Sequence, residues 1–115
     1  MAVVIIKCYT NFNKYIERRI NVIKIVAKSV IEDDKKEIYL QLAKELIEKS
    51  RKEQGCISYG LFQDINNDFI FTFIEEWQDQ KSIELHNNSE HFKRIVPLLA
   101  ELRRGKGEVN LYKEV

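Results

Sequence analysis

The chain has 115 residues, 44% of them hydrophobic, and carries 19 basic against 18 acidic side chains for a net charge of +1. That length suits one domain, and the near-neutral charge offers no basic surface to neutralise a phosphate backbone, which argues against a nucleic-acid partner. No apolar run reaches the roughly 18 residues needed to span a membrane.

Residues 1–20 read as an N-terminal extension ahead of a domain over residues 21–115. Within the extension Val3–Ile6 suits a short strand, and Tyr15–Ile20 suits a helical turn. An extra edge strand or an arm packed on a partner are the two roles open to it. The opening Met1–Lys7 run is too short for a signal-peptide core, so the expected location is the cytoplasm. Cys8 and Cys56 stand apart with no CxxC spacing, which implies two reduced thiols rather than a disulfide framework or a zinc site.

Asn21–Ile31 is β-branched and largely apolar on both alternating sets, which predicts a strand covered on both faces. Glu32–Asp33–Asp34 then places negative charge where a helix begins. From Lys35 to Glu53 the apolar residues Ile38, Tyr39, Leu42, Ala43, Leu46 and Ile47 form one helical stripe, with Gly55 expected as the C-terminal cap. Cys56–Gln63 and Phe69–Trp77 read as strands joined by the polar turn Asp64–Asp68, an antiparallel hairpin.

On the second strand of that hairpin Phe69, Phe71, Phe73, Glu75 and Trp77 share one face, and Ile70, Thr72, Ile74 and Glu76 share the other. Neither face is polar along its length. The domain's own helices cover one face, so a second copy of the chain is the expected cover for the other.

Asp79 can cap a short helix through Ile83, Leu85 and His86, which Asn87–Asn88 interrupts. Ser89 can cap a further helix from Glu90 to about Arg103, with Phe92, Ile95, Val96, Leu99 and Leu102 facing inward. Pro97 is expected to kink or split it near Ile95–Val96. Gly105 and Gly107 end the helix, and Glu108–Val115 reads as a last strand. The order β-α-β-β-α-β is that of an α+β, ferredoxin-like split βαβ domain.

Three residues stand out as candidates for catalysis. His91 would be the second residue of a helix capped by Ser89, where the positive end of the helix dipole disfavours imidazolium. A neutral imidazole there can exchange a proton or donate to a substrate oxygen. A satisfied histidine near a helix start is the competing reading. His86 lies three residues after Ile83 and so points to the apolar side. Glu75 shares a face with Phe73 and Trp77, where a carboxylate is desolvated and suited to act as a base, unless strand twist brings it to the rim. The two histidines are five apart across a helix break, which is not the spacing of a helical zinc site, so no metal is expected.

The residues Glu75–Glu76–Trp77, His86 and Ser89–Glu90–His91–Phe92, with the turn Glu53–Gln54–Gly55–Cys56–Ile57–Ser58–Tyr59, resemble the antibiotic biosynthesis monooxygenase domain family from about Val22 to Tyr112. The resemblance implies a dimeric α+β barrel with a pocket between sheet and helices in each subunit. It implies no cofactor, a small-molecule substrate, and pocket positions for Trp77, His86 and His91, with Tyr59, Phe73 and Phe92 as further pocket wall. Family members include cofactor-independent monooxygenases of phenolic or quinol-like compounds, an isomerase of a phosphorylated dione, and haem-degrading enzymes. The haem-degrading branch uses an Asn on its first strand, and here only Asn21 stands at the very start of that strand. The expected function is therefore a cofactor-independent monooxygenase acting on an aromatic or enolisable carbonyl compound. An isomerase of a small carbonyl compound and a non-catalytic dimeric binding module are the alternatives.

Overall fold

A computed structural model describes residues 21–115. The elements are β1 (Ile23–Val30), α1 (Lys36–Ser50), β2 (Cys56–Gln63), β3 (Ile70–Trp77), α2 (Gln80–Asn87), α3 (Glu90–Glu101) and β4 (Glu108–Lys113). The strands form one antiparallel sheet in the order β2-β3-β1-β4. Strand β3 inserts between the two strands that flank α1, which is the split βαβ arrangement of a ferredoxin-like α+β domain. The expectations for residues 1–20 lie outside the described residues.

The period-two pattern of β3 decides how the sheet is used. Phe71, Phe73, Glu75 and Trp77 are buried, and the residues between them are half-buried. The register aligns Ile25, Ala27 and Ser29 of β1 with Glu75, Phe73 and Phe71, and Tyr59 and Leu61 of β2 with Glu75 and Phe73. These residues make the face under the helices. Helix α1 lays Tyr39, Ala43, Leu46 and Ser50 on it at spacings of four, three and four. Tyr39 meets Phe71 with ring centroids 5.5 Å apart. Ile83 of α2 and Ile95 and Leu99 of α3 complete the core.

Two local expectations are corrected and one is refined. The acidic triplet stands just before α1, as expected, but the N-cap Lys35 makes no side-chain cap bond. Glu32 and Asp33 instead reach Arg104 beyond α3, tying two loops together. Gly55 does not cap α1, which ends five residues earlier, and among the described residues only Gly105 has a positive φ, at 76°. The reason for a glycine at position 55 is close approach: a Cβ there would overlap the Ser82 hydroxyl of α2. Finally, α3 runs unbroken through Pro97. Pro97 forgoes one backbone bond, and Ile95 and Leu99, buried on either side of it, hold the turn against the core.

Candidate active site

Four local devices bring the polar groups together. The chain leaves α1 through a tight turn in which the Glu53 amide donates to the Ser50 carbonyl and the Cys56 amide donates to the Glu53 carbonyl, at 3.1 and 3.0 Å. Helix α2 begins at Asp79, whose carboxylate accepts from the Ser82 amide and hydroxyl at 2.8 and 2.7 Å. Gly55 lets that first turn of α2 press against the Glu53 turn. Ser89 then joins α2 to α3. Its hydroxyl donates to the His86 carbonyl at 2.6 Å and accepts from the Phe92 amide at 3.2 Å, which fixes the helix carrying His86 relative to the one carrying His91.

The outcome is a carboxylate shared by two imidazoles. Glu53 Oε2 lies 2.6 Å from His86 Nδ1 and 3.1 Å from His91 Nε2. An ionised carboxylate only accepts, so both ring nitrogens carry hydrogen and donate to it. This assigns His86 the Nδ1–H tautomer and leaves its Nε2 with a free lone pair. Nε2 is buried and has no hydrogen-bond partner. His86 itself is 1% exposed. It is enclosed by Trp77, Phe92 and Tyr59, at ring-centroid distances of 4.4, 5.0 and 5.5 Å. Burial holds its pKa below the ordinary histidine range, against the opposing pull of the Glu53 carboxylate. One carboxylate oxygen of Glu53 and one ring nitrogen each of His86 and His91 all lie within 4.8 Å of one another, a grouping that sequence spacing does not assemble because Glu53 stands 33 and 38 positions from the histidines.

Glu75 is the second titratable group here. It is 6% exposed, and Trp77 Nε1 donates to its Oε1 at 2.7 Å. Burial pushes its pKa up to about 7, only partly offset by hydrogen bonds from Trp77 and Tyr59, and the nearby Glu53 charge adds to the rise. The strand twist does not carry it to the rim.

His86 and Glu75 both belong to the wall of one cavity of about 430 Å³ between the sheet and the helices. That volume is within the roughly 300–1,000 Å³ range of small-molecule pockets. The rest of the wall is largely apolar, including Tyr59, Phe73, Phe92, Leu46, Leu99 and Ile83. His86, with an unpartnered imidazole lone pair, and Glu75, a carboxyl poised near neutrality, both belong to the wall of this apolar space, and such groups can move protons to and from a bound carbon or oxygen acid.

The antibiotic biosynthesis monooxygenase family matches residues 22–98, about two-thirds of the chain. The chain belongs to this family. A crystal structure of a conserved protein from Methanosarcina mazei Go1 shares 40% identity and superposes with a TM-score of 0.83, covering 85% of this chain and 97% of that one. A crystal structure described as an antibiotic biosynthesis monooxygenase also shares 40% identity, with a TM-score of 0.78, over 81% of this chain and 98% of that one. The protein sll1783 of Synechocystis sp. (strain ATCC 27184 / PCC 6803 / Kazusa) is 33% identical over 90 residues, 77% of this chain, and the match spans 61% of that protein's own length.

Within this monooxygenase-family domain the candidate residues separate into three groups. His86, Glu75, Tyr59, Phe73 and Phe92 form part of the cavity wall. His91 and Trp77 stand behind it: His91 bonds Glu53, and Trp77, fully buried, packs on His86 and holds Glu75. Asn21 precedes β1, which starts at Ile23. Glu53 and Arg103 are functional candidates that the sequence reading passed over. Glu53 was seen only as part of the helix-to-strand turn, and no periodicity links it to residues 33 and 38 positions away. Arg103 carries no local signal beyond its place near the end of a helix.

Proposed function

We propose that this family member is a cofactor-independent monooxygenase of a small aromatic quinol-like or enolisable carbonyl compound. The observation that carries the reading is the His86 imidazole, held at Nδ1 by Glu53 with a buried, unpartnered Nε2, on the wall of an apolar cavity. His86 Nε2 takes a proton from an activated C–H of the substrate. The Glu53 carboxylate stabilises the imidazolium that forms and keeps the ring in the reactive tautomer, as the carboxylate of a hydrolase triad does. The protonated Glu75 carboxyl donates to the substrate oxygen on which negative charge gathers. The carbanion gives one electron to O2, and the radical pair combines to form a C–O bond. The peroxide takes the proton from His86. Loss of the second C–H proton with O–O cleavage then releases water and leaves a carbonyl. Per turnover a CH2 group and O2 become C=O and H2O, so the four electrons lost by carbon are those gained by oxygen. The apolar wall excludes water from the peroxide stage.

The test is oxygen uptake by the full chain with an anthrone-type substrate. The expected result is stoichiometric O2 consumption, with His86→Ala lowering kcat by about 10²–10⁴-fold, the range for loss of a general base. Turnover of the same carbonyl compounds without O2 consumption would establish an isomerase instead. Saturable binding with no turnover would leave a binding module.

The homodimer is part of the same proposal. On the sheet face away from the helices Val26, Val30, Ile70 and Ile74 are half-buried side by side, and Phe62 and Tyr112 are 55% and 52% exposed. A second copy laid over this face supplies the cover that a single chain lacks. Light scattering should give about twice the 13.7 kDa of one chain, and a monomer mass would remove this part of the reading.

A further inference from the structure

The cavity has a second polar end, remote from the histidines. Arg103 follows α3 and is anchored there by its backbone: its amide donates to the Ala100 carbonyl at 3.3 Å, and the next amide, of Arg104, donates to the Val30 carbonyl at 2.7 Å. Its side chain forms part of the cavity wall together with Ser29, Lys28, Tyr39 and Gly107. The guanidinium lies against Gly107, where an added Cβ would overlap Nη1 and sit 3.2 Å from Cζ and 3.3 Å from Ser29 Oγ.

Among the described residues no ion pair engages this cation. Arg103 Nε is buried without a hydrogen-bond partner. Glu32 and Asp33, in the loop after β1, engage the adjacent Arg104. The cavity wall contains one carboxylate, Glu75, and that one is bonded by Trp77 at the opposite end. A buried guanidinium N–H left unpaired is costly, and a planar anion is the partner it fits best.

The separation of the two ends follows from the register. Glu75 pairs with Ile25 of β1, whereas Arg103 stands at the level of Ser29, four residues further along the same strand. At the strand rise that is about 13 Å. Apolar side chains, among them Tyr39, Leu46, Phe73 and Leu99, form the wall as well.

We propose that Arg103 is a specificity-determining anion-binding residue that takes the carboxylate of an elongated aromatic acid whose reacting end lies at His86 and Glu75. This rests on the reading of the cavity as the substrate site. One guanidinium with a single serine hydroxyl and one lysine suits a monoanion held by a planar fork better than a phosphate dianion, which gathers more donors.

Fluorescence titration of the full chain with naphthalene probes tests it. The probes are a hydroxynaphthoate with hydroxyl and carboxylate at opposite ends of the ring system, its isomer with the two groups adjacent, the parent naphthol, and naphthyl phosphate. The opposite-ended acid should bind at least about tenfold more tightly than naphthol or the adjacent isomer, the gain expected of one charge-assisted contact. Arg103→Gln should abolish that preference while leaving naphthol affinity unchanged, which shows that the variant is folded. Gly107→Ala, which keeps the charge but pushes the guanidinium aside, should abolish it too. Equal affinity for naphthol and the opposite-ended acid in the wild type overturns the anion site and spares the substrate cavity. Failure of naphthol itself to bind overturns both. Tighter binding of naphthyl phosphate than of the acid, or an unchanged preference in Arg103→Gln, overturns the carboxylate assignment.

Discussion

The two ends of the cavity are built on opposite principles. At the histidine end nearly every polar atom has a protein partner: Glu53 serves two imidazoles, Ser89 serves both helices, and Trp77 serves Glu75. Of the imidazole nitrogens, His86 Nε2 is the buried one left without a partner. At the arginine end the guanidinium has no partner at all among the described ion pairs. A saturated network rigidifies its members and points its one free valence in a fixed direction, which chemistry on a C–H bond requires. An unsaturated cation waits for a ligand to complete it, which recognition requires. The contrast separates reaction from selection within one cavity, and it predicts that variants at the first end change kcat whereas variants at the second change affinity.

Among variants that leave the His86 imidazole in place, the largest expected effect comes from breaking the network at Glu53. Glu53→Ala removes the acceptor of two imidazole N–H groups on side chains that are 2% and 13% exposed. Each unsatisfied buried donor costs about 1–3 kcal/mol. The expected outcome is a lower melting temperature and a kcat reduced by about 10², with naphthol affinity little changed. His91→Phe removes one of the two bonds and leaves the other, so its kcat should fall only about tenfold. The downfield imidazole proton resonance of His86 Nδ1 separates a positioning role from a merely structural one. It should persist in His91→Phe and vanish in Glu53→Ala. If His91→Phe is as inactive as His86→Ala while that resonance persists, the base is His91 and the assignment is reversed.

The fold was legible in this sequence because its signals are local. The stripe from Tyr39 to Leu46, the alternation from Phe69 to Trp77, and the caps Asp79 and Ser89 each operate within a few residues. The site was only half legible. His86 and Glu75 announce themselves as polar residues at apolar positions of a helix and a strand. Glu53 does not, because it sits in a turn where a carboxylate is ordinary, and it becomes notable only when Gly55 allows α2 to press on that turn. The same absence of a local signal hid Arg103, an arginine where a helix ends, until the tertiary arrangement left its Nε without a partner. His91 was singled out for its place on a helix dipole, a local argument. Its bond to Glu53, 38 residues away, is a long-range contact that spacing does not encode.

The smallest effect, and the one that sharpens the division of labour at the histidine end, is the pH response of Glu75. Its pKa in the folded protein is raised from 4.5 to about 7, chiefly by burial. The groups facing it are the Trp77 and Tyr59 donors, which lower it, and the Glu53 carboxylate, which raises it. Between 4.5 and about 7 the folded state therefore binds more protons than the unfolded state, and Glu75 makes stability fall as pH rises through that window. A displacement of that size corresponds to on the order of 3 kcal/mol. His86 acts in the opposite sense: with its pKa lowered by burial, the fold loses stability as pH drops below the unfolded histidine value of about 6.5. Glu75→Gln should accordingly flatten the loss between 4.5 and about 7 and leave the acid limb in place. In catalysis the same residue, acting as a protonated donor, gives a kcat that declines as pH passes about 7, and Glu75→Gln, whose amide still donates, should remove the decline at a cost of a few-fold in rate. A kcat that instead rises through that pH in the wild type would make Glu75 the base, with His86 as the group that donates to oxygen.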